Sequence, residues 1–257
     1  GSFWSYTGNI TFNDHVTVYA LTMLQDVVDG KFASAPDADL GFVDQERRQR
    51  AAAAVKRGID CILKCQIIVD GNPTVWSQQH DPVTFQPRGG RPFEPPALCG
   101  GMESVNIIRF LMRSENPTPE MIEAVQNAVA WYDQAKIMGR MVIKRFSEKH
   151  GRTHDVCIGE IPGAPPQWGR YHYSGDLGEW APHVTFDGLK VNQPIFVDHD
   201  RKIYATVASL SYGRRIGYNW MDGYANDLLT KEYPAWQERH APGKDMRKDP
   251  IWKKLEN

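Results

Sequence analysis

The chain has 257 residues, 41% of them hydrophobic, with 30 Lys and Arg against 31 Asp and Glu. That length can bury one sizeable core or two small lobes around a cleft, and the balance of charge leaves no global field pointing to nucleic acid or to a membrane surface. No apolar run approaches the roughly 20 residues of a membrane span, so an anionic partner has to be met by a local cluster of arginines. The start shows no signal peptide, and Gly1-Ser2 has the look of an expression remnant, which leaves a removed leader open. Cys61, Cys65, Cys99 and Cys157 lack the C-x-x-C spacing of a zinc or redox site and are expected to be free thiols, mostly buried.

In chain order, the segment from Asp14 to Gly30 places Val18, Leu21, Leu24 and Val28 on one helical face, with Gly30 as the stop. A second helix is expected from about Gln45 to Val69, where RRQRAAAAVKR forms a solvated basic face before Val55, Ile59, Ile62 and Leu63. Glu103 to Met112 predicts a third. Thr118 as N-cap and Pro119 at the first helical position open a fourth, with Ile122, Val125, Val129 and Tyr132 on its buried stripe before Gly139. Beyond Gly139 the pattern changes to short β-like runs at 140–146, 154–160, 194–200 and 202–208, divided by Gly and Pro turns. The stretch from Gly159 to Asp187 is long and aromatic with few regular signals, and 212–236 closes the chain with a helical element rich in Tyr and Trp.

Between these elements, Val75 to Ile107 concentrates Trp76, Gln79, His80, Asp81, Arg88, Arg91, Glu94 and Glu103 in a segment too long for a plain connector, which marks a candidate binding surface. Eight Trp and ten Tyr, many beside Arg, Asn and Gln, suit the stacking of sugar rings, although most are expected in the core. Trp76, Trp168 and Tyr171, which neighbour arginines, are the exceptions. Arg91, Arg170 and Arg214 or Arg215 offer bidentate forks for carboxylates, and no glycine-rich phosphate loop competes for that reading. Asn13-Asp14 sets an amide and a carboxylate oxygen side by side, as a hard cation such as calcium requires; the same aspartate could instead cap the first helix. Eight histidines without an H-x-x-x-H pair argue against a catalytic zinc.

Six segments taken together resemble the family 10 polysaccharide lyases, the calcium-dependent pectate lyases. They are ITFNDHVTVYALTMLQDV (10 to 27), the run from Ala51 through DCILKCQIIVDGNPTVWSQQHD, RPFEPPALCGGMESVNIIRFLM (91 to 112), PPQWGRYH (165 to 172), NQPIFVDHD (192 to 200) and YGRRIGYNW (212 to 220), in the family's order over most of the chain. The resemblance implies a mainly α fold, an incomplete (α/α) toroid of antiparallel helix pairs with short irregular strands in the C-terminal half. It implies one catalytic domain over 1–257, with a helical lobe at 1–139 and a mixed portion at 140–257. The activity implied is calcium-assisted anti β-elimination on polygalacturonate, giving 4,5-unsaturated oligogalacturonates, by a secreted or periplasmic enzyme that is a monomer or has its cleft completed by another chain.

By the same resemblance, Arg91 in R-P-F-E is the base, Asp14 in I-T-F-N-D binds Ca2+, and Arg170 in W-G-R binds substrate. Gln79, His80, Glu103 and Ser104 match positions that line the cleft; Trp76, Tyr171 and Arg214 join the substrate-binding set from the aromatic and arginine pattern. Relatives carry on the order of a hundred residues before the I-T-(F/Y)-N-D motif, including an Asp-Asn pair that helps to hold calcium, against Gly1 to Asn9 here. At Asn192-Gln193 relatives often show an arginine after the asparagine. A catalytically impaired uronan-binding protein on the same fold, or a lyase for a related uronan, is the alternative that these departures raise.

Overall fold

The computed structural model describes residues 8–30, 43–146 and 154–243. A short strand β1 (Ile10–Thr11) leads into a tight turn at Asn13–His15 and then helix α1 (Val16–Asp29). The helix was expected to begin at Asp14. Instead Asp14 and His15 both take left-handed backbone, with φ of 51° and 62°, and break the chain from the helix that follows. Gly30 ends α1, its N–H bonding back to Asp26 and Val27.

Helix α2 (Gln45–Lys64) starts where Asp44 accepts the Arg47 backbone N–H at 2.8 Å. Of its arginines, Arg47 and Arg50 are solvated as expected, whereas Arg48 reaches across to the Val27 carbonyl at the end of α1 (2.9 Å). The helix stops short of Val69 because Asp70-Gly71, with φ of 50° and 81°, forms a two-residue hairpin between β2 (Ile68–Val69) and β3 (Asn72–Pro73). Val75 to Ile107 then carries β4 (Gln79–His80), β5 (Leu98–Cys99) and the start of α3 (Met102–Met112). Helix α4 (Pro119–Gln134) opens with the predicted cap, the Thr118 hydroxyl accepting from Met121 N–H. It is buried on every side from Ala124 to Tyr132 rather than along one stripe. Helix α1 packs on α2 and α3, and α4 packs on α2 and α3.

The second half is stranded over 140–146 and 154–160 as expected, but the runs expected at 194–200 and 202–208 shrink to strands at Pro194–Val197 and Ile203–Tyr204, with a 3-10 turn at Val207–Ser209. β6 (Arg140–Phe146) and β7 (His154–Glu160) pair in antiparallel register from Arg140 opposite Glu160 to Phe146 opposite His154. β8 (Trp168–Gly169), β9 (Tyr171–His172), β10 (Pro194–Val197) and β11 (Ile203–Tyr204) follow, then helix α5 (Tyr212–Gly217), β12 (Met221–Asp222) and helix α6 (Tyr233–His240). The single helical element expected over 212–236 is therefore two short helices with a strand and a π-type turn at Leu228–Glu232 between them. One antiparallel sheet, β11-β10-β9-β5, crosses the two halves by pairing Cys99 with Tyr171 and Leu98 with His172.

Two hydrophobic clusters support this frame. The larger lies among α1 to α4 and α6, around Trp76, Trp131, Trp168 and Trp236; the smaller backs the sheet with Tyr171, Trp180, Phe196 and Trp220. The four cysteines are free, with Cys65 and Cys99 buried. No helix among the described residues is long and apolar enough to cross a membrane.

Candidate functional site

Much of the segment from Val75 to Ile107 is buried scaffold rather than exposed wall. Thr74 to His80 and Glu94 to Gly101 are buried, and only the middle of the loop reaches solvent. An irregular backbone can be buried there because its polar groups are met one by one. The Ser77 N–H donates to His80 Nε2 at 3.0 Å, which leaves the proton on Nδ1, and Nδ1 donates to the Phe85 carbonyl at 2.9 Å. Burial holds the His80 pKa down at about 4, so the ring is a neutral staple at ordinary pH.

From this base, the Gly90 N–H bonds to the Glu94 carbonyl and the Glu94 N–H to the Arg91 carbonyl (3.0 and 2.9 Å), a turn that lifts Arg91 to the surface. Glu94 stays beneath it, 1% exposed. Its carboxylate accepts the Arg91 backbone N–H (3.0 Å), the Arg91 Nε (2.7 Å) and Nη2, and also Asn13 Nδ2 (2.8 Å). Asn13 is itself fixed by its own N–H and that of Phe12, both donated to the Gln78 carbonyl.

One residue on, Asp14 projects its carboxylate into solvent, 74% exposed, with Oδ2 3.9 Å from Arg91 Nη2. His15 rather than Asp14 stands at the N-cap of α1, no side-chain bond closes that end, and Asp14 lies outside the helix's first turn. The left-handed backbone at two successive non-glycine residues costs of order 1–3 kcal/mol at each and holds that carboxylate beside the arginine. Arg91 and Asp14 are thus neither separated by packed core nor held apart by the width of a sugar ring. A ring would have to lie across both.

The second arginine is pinned from both strands that flank it. The Arg170 N–H donates to the Trp220 carbonyl (2.8 Å), while its own carbonyl accepts from Gly100 (3.1 Å). Its Nη2 meets Glu103 Oε1 at 3.0 Å; the two side chains are 17% and 5% exposed. The same oxygen accepts Gln78 Nε2 (2.6 Å), and Gln78 Oε1 accepts the Tyr171 hydroxyl (2.7 Å). Burial alone would disfavour the Arg170 charge, but the acidic groups of Tyr171 and Glu103 outweigh it and hold its pKa above the ordinary arginine value. The Tyr171 phenol is pushed up by burial.

Of the residues singled out in the sequence, Asp14, Arg91 and Arg170 reach the surface, as do Asp81 and Arg88, which pair with each other at 3.1 Å. Glu103 stands behind Arg170 as its counter-ion. Trp76, Gln79, His80, Ser104, Tyr171 and Arg214 are at most 1% exposed, which corrects the expectation that they line an open cleft. Trp76 donates its indole N–H to the Ile62 carbonyl (2.7 Å) and Trp168 to the Tyr132 carbonyl (2.7 Å), so both are core. Ser104 accepts the Trp76 N–H. The sequence pointed to Asn13 as a cation donor and to Glu94 as one of the polar residues of the 75–107 segment, but not to either as a support for Arg91, although Glu94 stood in the same R-P-F-E motif; Gln78 was given no role.

For a hard cation, the exposed Asp14 carboxylate and the buried Asn13 Oδ1, which lacks a hydrogen-bond partner, are donors of the right chemistry. They would fill part of a shell of about six to eight oxygens. No group of three or more His, Cys, Asp or Glu that could hold a metal occurs among the described residues. Calcium at this face would draw its remaining ligands from elsewhere.

Two carboxylate-backed arginines and a solvated aspartate on a helix-rich scaffold are groups suited to carboxylate and cation chemistry. Comparison with known proteins makes this specific. The chain matches the pectic acid lyase family model over residues 2–229 and belongs to that family. Among solved structures it resembles a mutant of the family 10 polysaccharide lyase from Cellvibrio cellulosa in complex with trigalacturonic acid, at 28% identity and a TM-score of 0.71, covering 90% of this chain and 64% of the other. It also resembles the family 10 polysaccharide lyase from Cellvibrio cellulosa at 27% identity and a TM-score of 0.70, with 89% and 63% covered. The chain thus spans less than two thirds of those solved chains. No match was found among curated proteins.

Proposed function

We propose that this protein is a pectate lyase that binds demethylated polygalacturonate and cleaves it by anti β-elimination. The observation that carries this reading is the placement of Arg91, gripped by buried Glu94, within 3.9 Å of the solvated Asp14 carboxylate on an open face. The relative solved with trigalacturonic acid supports the choice of uronan. In this reading the Arg91 side chain stands over C5 of a galacturonate unit and takes its proton. The electron pair forms the C4–C5 double bond, the C4–O4 bond breaks, and the departing oxygen takes a proton from water. Arg170, held rigid by Glu103, grips a substrate carboxylate through its planar fork. Asp14, with Asn13 beside it, would hold calcium, which when bound supplies positive charge for the uronate carboxylate and for the negative charge that develops next to it. A guanidinium yields a proton only where positive charge crowds it; the Glu94 and Asp14 carboxylates beside Arg91 act the other way, so the base role depends on positive charge beyond that of Arg214, which shares the Phe93 ring with Arg91.

The frame proposed for this chemistry is the incomplete toroid of antiparallel helix pairs, in one catalytic domain working outside the cell, as a monomer or with a second chain completing the cleft. Mixing the protein with polygalacturonate and calcium should raise the ultraviolet absorbance of the 4,5-unsaturated product. Chelator and Arg91→Ala should each abolish the rise. Flat absorbance across uronans of different composition, with calcium present, would remove the lyase. The partial oxygen set around Asp14 favours one second reading, a uronan-binding protein without turnover; oligogalacturonate affinity with no product at any calcium concentration selects it. Product from another uronan only would select a lyase for that polymer.

A further inference from the structure

Arg214, on α5, is 1% exposed, and no carboxylate lies within ion-pair distance of it among the described residues. Its Nε donates to the Val197 carbonyl (3.0 Å) and its Nη2 to the Phe93 carbonyl (3.3 Å), while Nη1 is buried without a hydrogen-bond partner. A buried cation lacking an anion is costly, and such a group normally persists where it serves something other than stability. What surrounds it is aromatic: the guanidinium carbon lies 3.4 Å from the centroid of Tyr218, 4.1 Å from that of Phe93 and 4.8 Å from that of Trp220.

Two of those rings lead to the surface arginines. Arg91 lies 5.2 Å from the Phe93 centroid, and Arg170 lies 5.2 Å from the Tyr218 centroid. The chain therefore contains an alternating ladder, Arg91, Phe93, Arg214, Tyr218, Arg170, assembled from the 75–107 loop, the β8–β9 segment and α5. A planar guanidinium can stack against two rings at once, which a lysine ammonium cannot do.

We propose that Arg214 is a positioning residue that fixes the spacing of Arg91 and Arg170, through Phe93 and Tyr218, so that Arg91 meets C5 of one uronate unit while Arg170 grips the carboxylate of another unit of the same chain. The proposal rests on the polyuronate reading above. It explains why a third arginine is conspicuous in the sequence but hidden in the fold: it holds the other two in register. It also makes the ligand class a polyanion with carboxylates at a fixed repeat, rather than a single uronic acid.

The test compares trigalacturonate with galacturonate in competition calorimetry on wild type, Arg214→Lys, Tyr218→Leu and Tyr218→Phe, with a thermal melt for each. Arg214→Lys keeps the charge and Tyr218→Leu keeps apolar bulk, yet both should shrink the preference for trigalacturonate over galacturonate by about tenfold. Tyr218→Phe, which retains a ring, should stay near wild type. A purely structural role would weaken both ligands in parallel with the loss of folded protein and leave their ratio unchanged, and that result would overturn the proposal. So would wild-type preference in a folded Arg214→Lys or in Tyr218→Leu, the latter altering a half-buried side chain that should fold if the former does not. Wild-type protein that binds neither trigalacturonate nor polygalacturonate would instead overturn the polyuronate reading itself.

Discussion

Arg91 gives two side-chain nitrogens and its own backbone N–H to one carboxylate, that of Glu94, which also receives Asn13. Replacing that acid by its amide in Glu94→Gln keeps the volume and turns one acceptor into a donor facing other donors. The expected loss is about 1–3 kcal/mol of stability and, on the proposed lyase reading, a fall in turnover on polygalacturonate larger than the change in KM, because the guanidinium would lose its orientation before its contact with the ligand. Urea unfolding and the product absorbance assay read the two effects; unchanged turnover in a folded variant would show that Arg91 is oriented by something else. Part of this site was legible in sequence, since Arg91, Asp14 and Arg170 sit in compact motifs that carry their own context. The supporting residues were not, because their contacts join positions 81 and 93 apart in the chain, Asn13 to Glu94 and Gln78 to Tyr171. Trp76 misled for a related reason. A tryptophan in a polar loop reads as a sugar platform, yet the loop is folded inward and the indole closes over the end of α2.

Elements with local signals were readable, and those defined by distant pairing were not. The starts of α2 and α4 follow from Asp44 and Thr118, whose side chains cap them as their residue types suggest. The break between the Asn13 turn and α1 could not be seen, because hydrophobic periodicity runs through it and only the left-handed backbone of Asp14 and His15 reveals it. The two-residue strands β1, β4, β5, β8 and β9 are too short to carry a period and exist only through partners elsewhere. The Asp70-Gly71 turn had a sequence signal that the helical pattern before it masked. Between α1 and α2 the decisive contact is steric: a Cβ on Gly58 would sit 2.2 Å from Leu21 Cδ2, and Leu21 is itself 6% exposed in the core. Gly58→Ala should therefore push the two helices apart or force Leu21 off its rotamer, at about 1–3 kcal/mol. A urea midpoint equal to wild type would mean that the interface has slack the packing does not show. Since Asp14 leads directly into α1, a shifted helix should also weaken polygalacturonate cleavage.

At the scale of the molecule, two buried histidines tie the site to the rest of the fold. His80 staples the loop below Arg91, and His172, in the sheet that joins the two hydrophobic clusters, meets the Asn192 carbonyl through Nδ1 at 2.7 Å. Burial lowers both pKa values from 6.5 to about 4, so each ring stays neutral in the fold and ionises readily only when the chain opens. The sign of the effect follows directly. Above pH 6.5 neither state binds the proton and the stability is complete; between 6.5 and 4 the unfolded chain takes up protons that the folded chain refuses, so stability falls as the pH falls through that window. Each histidine contributes up to about 3 kcal/mol over the full interval. The urea midpoint should therefore drop steadily from about pH 7 to about pH 5.5, a range in which surface carboxylates stay mostly ionised. His80→Gln, less stable at pH 7, should show a shallower slope because one of the two linked protons is gone. A midpoint that stays flat across the window, or a variant slope as steep as wild type, would show that these rings are charged in the fold or already shielded when it opens. If the slope is as expected, the loop beneath Arg91 should loosen with it, and activity on polygalacturonate should be lost toward acid together with the fold, recovering on return to neutral pH.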